Sequence, residues 1–105
     1  MIDYIKKTAG DGRMVVAGAV DNVTVGETTT AVLAADAKRS CVVLSNISSE
    51  RIDVALGADA EADKGIGIPV TGVLVLTAER GSYMEINAIC ASGSKTLAVQ
   101  TITEP

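Results

Sequence analysis

The sequence contains no histidine, no tryptophan and no phenylalanine, and only two tyrosines, two prolines and two cysteines. Lack of histidine removes the commonest general base and the commonest metal ligand together. A serine or cysteine nucleophile would then need another activator, and neither Cys41 nor Cys90 has one near it in sequence. Scarcity of aromatic rings takes away the platform on which a sugar ring stacks and the side chains that dominate strong binding hot spots. Basic charge is also short, with nine Lys and Arg against thirteen Asp and Glu for a net charge of −4. Nucleic-acid binding asks for the opposite balance. No apolar run approaches the ~20 residues of a membrane span, and no apolar signal core follows Met1. These absences lead to the expectation of a non-enzymatic chain made in the cytoplasm, without cofactor, metal, nucleic acid or membrane.

What is present is aliphatic. Apolar residues make up 48% of the 105 and charged residues 21%, enough for one folded domain with a core of Val, Ala, Ile and Leu. Small side chains of this kind suit close layers and oligomers. The two cysteines fall inside predicted strands and read as small, reduced core residues.

Around Arg39–Gly57 the chain reads as two strands, Cys41–Leu44 and Ile52–Leu56, joined by the polar Asn46-Ile47-Ser48-Ser49-Glu50-Arg51 as a hairpin. In the second, Ile52, Val54 and Leu56 alternate with Asp53, Ala55 and Gly57, which sends the aliphatics to one face. Arg13–Val20 is continuously apolar and predicts a strand buried on both sides, with Gly18 allowing a bulge, before Asp21-Asn22 turns the chain. Val23–Val25, Thr28–Leu33, Val73–Thr77 and Lys95–Ile102 read as further strands. Ala34–Lys38 reads as a loop, and Gly65, Gly67 and Pro69 stop any helix after Gly57. From Tyr83 onward Met84, Ile86, Ala88 and Cys90 face one way, while Tyr83, Glu85 and Asn87 face the other. About eight short strands with no dependable helix predict an all-β fold, an antiparallel β-sandwich of jelly-roll or immunoglobulin-like type. Residues 13–105 form that domain.

Residues 1–12 differ, carrying Met1, Ile2, Tyr4, Ile5, Lys6 and Lys7 ahead of Gly10-Asp11-Gly12. Aliphatic and aromatic anchors on a glycine tether predict an extended arm that docks on a neighbouring subunit. The remaining motifs are weak. Asp59, Glu61 and Asp63 have calcium-loop spacing, but Lys64 and Val70 stand where glycine and a bidentate acid belong. Asn46-Ile47-Ser48 matches a glycan acceptor, yet reads better as a turn. Gly65-Ile66-Gly67 has no helix after it to cradle phosphate.

The segments VLAADAKRSCVVLSNIS at Val32–Ser48, the short strand at Ile52–Gly57, KGIGI at Lys64–Ile68, GSYMEI at Gly81–Ile86 and AICASGSKTLAV at Ala88–Val99 together resemble a family of small virion structural proteins of tailed bacteriophages. The resemblance covers about two thirds of the chain. It implies a capsid decoration (cement) or head-fibre-like protein, a β-sandwich homo-oligomer on the outer surface of the capsid. The implied partner is the major capsid protein and the favoured assembly a trimer. A receptor- or glycan-binding fibre module and a head-tail connector or tail component are the alternatives.

Overall fold

The computed structural model describes residues 16–103, with side chains from residue 20 onward. The arm predicted over 1–12 lies outside the described residues. Eight strands follow in chain order: β1 Val16–Val25, β2 Thr30–Leu33, β3 Arg39–Asn46, β4 Ile52–Leu56, β5 Ile66–Ile68, β6 Val73–Thr77, β7 Ile86–Cys90 and β8 Lys95–Thr103. One 3-10 turn, Ala78–Arg80, leads out of β6 and ends at Gly81 in the left-handed region (φ 87°).

Two four-stranded antiparallel sheets carry the orders β1-β8-β3-β6 and β2-β7-β4-β5. The pairings β1·β8, β2·β7, β3·β6 and β4·β5 nest inside one another, as if one long hairpin were rolled up. The added β3·β8 and β4·β7 pairings close the roll. This order is a jelly roll, and it removes the immunoglobulin-like alternative.

Between the sheets lies an aliphatic core of Val25, Val42, Leu44, Ile52, Val54, Ile68, Leu76, Ile86, Ala88, Leu97 and Val99. The alternation read in β4 holds, with Ile52 and Val54 in the core and Asp53 on the opposite side. Full burial of each Val, Ile or Leu stabilises the fold by roughly 1.5–3 kcal/mol against leaving it exposed.

Four expectations are corrected. The first concerns β3 and β4, which do not form a hairpin: they belong to different sheets, and the polar segment between them is a corner. Asn46 is fully buried there and redirects the chain from one layer to the other. Secondly, Asp21-Asn22 is not a turn, because β1 runs straight through it to Val25. Its register against β8 shifts between Ala17 and Val20, an interval that includes Gly18, and Val20 is exposed rather than buried. Thirdly, Tyr83–Glu85 precede β7 instead of belonging to it, since Met84 N–H closes a turn onto the Gly81 carbonyl (3.0 Å). Ile86, Ala88 and Cys90 do face the core as the alternation predicts. Finally, β5 is a strand where only glycine-broken chain was expected. Its Ile66 and Ile68 align with Val54 and Ile52 in β4.

Candidate functional site

The two sheets treat their outer faces differently. On the β2-β7-β4-β5 sheet the segment after β4 folds back and covers the outside. The Asp53 carboxylate, nearly buried, accepts from Arg51 Nε (2.7 Å) and from the Asp63 N–H (2.9 Å). Asn87 Nδ2 donates to the Ala58 carbonyl (2.7 Å), and the Ala60 N–H donates to Thr29 Oγ1 (2.8 Å). The acidic Asp59-Glu61-Asp63 stretch is thereby a cover strapped to the sheet, with Lys64 Nζ 3.2 Å from Glu61 Oε1. Among the described residues no three His, Cys, Asp or Glu side chains cluster as metal ligands do.

The β1-β8-β3-β6 sheet has no such cover among the described residues. In β3 the burial alternates, so that Val42, Leu44 and Asn46 point inward while Cys41, Val43 and Ser45 point outward. The registers line these outward residues up in rungs. One runs Val20, Gln100, Val43, Val75; the next runs Asn22, Ala98, Ser45, Val73. A third joins Ile102, Cys41 and Thr77, and Thr24 stands beside Thr96. None of these residues carries a charge, on a chain whose net charge is −4. Val20 is 76% exposed, Val73 59% and Val75 52%. Val73 and Val75 lie beside Val43, and Gln100 separates these from Val20. The exposed Asn22, Thr24, Thr77 and Gln100 make the rest of the face polar but uncharged. Exposed aliphatic groups brought together in this way mark candidate interaction sites.

Buried polar groups in the fold serve its corners. Asn46 Oδ1 accepts from the Ser48 N–H (3.0 Å) and Ser48 Oγ (2.6 Å), while Nδ2 donates to the carbonyls of Glu50 (2.7 Å) and Ile68 (2.9 Å). Its place in the interior takes the glycan-acceptor reading away. Arg39, 5% exposed, donates to the carbonyls of Ser82 (2.6 Å), Ala34 (3.1 Å) and Met84 (2.8 Å). It clamps the loop after β2 to the loop before β7. Burial lowers its pKa from the usual arginine value, and the nearby Asp36 opposes that shift.

Both cysteines are free thiols. Cys90 is buried, and Cys41 is half-buried on the outer face. Burial, with Glu50 adding to it, pushes the Cys90 thiol above its ordinary pKa. Its Sγ lies 3.3 Å from the Val25 carbonyl. A protonated, enclosed sulfur is a packing group and a poor nucleophile.

The residues singled out for partner binding, Met1, Ile2, Tyr4, Ile5, Lys6 and Lys7, lie outside the described residues. The sheet face was missed. Its signal was present in Val73 and Val75, two outward valines in a strand whose inward residues, Leu74 and Leu76, are equally apolar. No family model, curated protein or solved structure matches the chain.

Proposed function

We propose that this chain is a structural protein of a tailed-phage particle, a decoration protein that stabilises the head by bridging major capsid subunits on its outer surface. The observation that carries the reading is the uncharged outer face of the β1-β8-β3-β6 sheet, with Val20, Val73 and Val75 exposed on it. A net acidic chain keeps such a face bare only at a cost in solubility, and gains from it when another protein covers the face. The motif resemblance supplies the class of particle. Few aromatic anchors mean that each contact is modest, so repetition over a lattice supplies the affinity. The role is mechanical: many copies held across subunit boundaries oppose the separation of the shell under the packaged genome.

Quantitative mass spectrometry of purified virions tests this. A copy number comparable to that of the major capsid subunit is expected, together with reduced heat resistance of particles lacking the protein. Absence from virions overturns the reading, and a copy number matching a tail ring moves the protein to the tail. Deletion of residues 1–12 is expected to leave the thermal unfolding of the domain unchanged while lowering its occupancy on particles.

A further inference from the structure

Among the described residues the roll leaves four edge strands, β1 and β6 on one sheet, β2 and β5 on the other. An edge exposes unpaired N–H and C=O groups, and proteins block it with charge, proline, bulges or very short strands. Three of the four edges carry such blocks. β1 has its register shift and Asp21 in the inward phase, and β2 shifts register between Ala31 and Leu33. β5 is three residues long and runs into Pro69, with the Arg51 guanidinium lying where a Cβ on Gly67 would sit. β6, Val73-Leu74-Val75-Leu76-Thr77, has no charge, no proline and an unbroken register against β3.

We propose that β6 is the self-association edge of this protein, pairing antiparallel with β6 of a second copy across a two-fold axis at Val75.

The hydrogen-bond phase supports that register. Asn46 N–H donates to the Gly72 carbonyl (3.0 Å), and Ser82 N–H takes the Thr77 carbonyl (3.0 Å). In this phase the peptide groups of Leu74 and Leu76 point to β3, and those of Val73 and Val75 point to the open edge. Centring the pair on Val75 sets Val75, whose N–H and C=O both face the open edge, against its counterpart. It also sets Val73 against Thr77, whose carbonyl already accepts from Ser82 while its N–H stays directed outward. Leu74 then stands opposite Leu76, so core side chains stay on the core side. Within β6 neither of the two acidic chains presents a charge to the other. A strand joins its own copy in this way only about a two-fold axis, so the edge favours a dimer over the expected trimer. The result is one eight-stranded sheet whose uncharged face is doubled. This deepens the structural reading above: the wider face is what would rest on the capsid.

Sedimentation of the full chain, from micromolar to about 1 mM, tests the edge, because a five-strand-residue contact is smaller than the ~800 Å² per partner of a standard interface. The wild type is expected to show a monomer–dimer equilibrium. Val75→Lys and Val75→Pro are each expected to weaken it roughly a hundredfold with unchanged far-UV circular dichroism. Val20→Lys, at the far side of the same face, is expected to leave it intact. In a Cys41→Ser background, Val75→Cys is expected to form an intermolecular disulfide on mild oxidation, since Cα atoms of a hydrogen-bonded pair lie about 5.5 Å apart. That cross-link decides the matter if the proline variant fails to fold. A wild type that stays monomeric throughout, a trimer, or a dimer lost in Val20→Lys but kept in Val75→Lys overturns the proposal. A monomer in solution that still reaches capsid-like copy number in virions sinks the edge and spares the virion reading.

Discussion

At Asn46 one side chain holds a corner of the roll by using its amide as two donors and an acceptor. Replacing the Nδ2 by an oxygen in Asn46→Asp turns both donors into acceptors facing the Glu50 and Ile68 carbonyls. An uncompensated buried group of this kind costs about 2–4 kcal/mol, which urea unfolding would register as a lower midpoint at unchanged slope. Cys90 gives a pH-dependent prediction. Its folded thiol keeps its proton to higher pH than the unfolded thiol, so its contribution is complete below the unfolded value near 8.5 and is lost as pH rises through the folded value. The melting temperature is expected to fall on the alkaline side of about pH 8.5. In Cys90→Ala, which starts lower because of the lost sulfur, the alkaline decline is expected to be shallower. An equal decline in both proteins would remove Cys90 from the account.

Strand existence was legible wherever β-branched residues ran together or alternated, as in β3, β4, β6 and the core face of β7. Strand partnership was not. The polar stretch after β3 has the composition of a hairpin loop, and only the burial of Asn46 reveals a change of layer; composition does not distinguish a solvated turn from an enclosed corner. β5 escaped because Gly67 interrupts it and Pro69 ends it. Its pairing comes from β4 and from the Arg51 guanidinium lying over the glycine. The same limit hid the outer face: Cys41, Val43, Val73 and Val75 are apolar in both phases of their strands, so period-two reading assigns no side to water. Register supplied what alternation lacked, by lining Val20, Val43 and Val75 up across three strands.

For the molecule as a whole, topology concentrates dependence on β8. It sits between β1 and β3 and supplies Leu97 and Val99 to the core, while its partners come from the other end of the sequence. Truncation before Lys95 is expected to abolish cooperative unfolding altogether, whereas a loss confined to one edge strand would leave a weakened transition. Differential scanning calorimetry separates the two outcomes.

That placement bears on biogenesis. A ribosome adding roughly 5–20 residues per second exposes β1 and β3 for several seconds before the strand that joins them emerges. During translation the nascent roll keeps its aliphatic stripes unsheltered, and they invite holdase chaperones or premature contact with sibling polypeptides. Yield of folded protein would accordingly depend on how quickly β8 clears the exit tunnel.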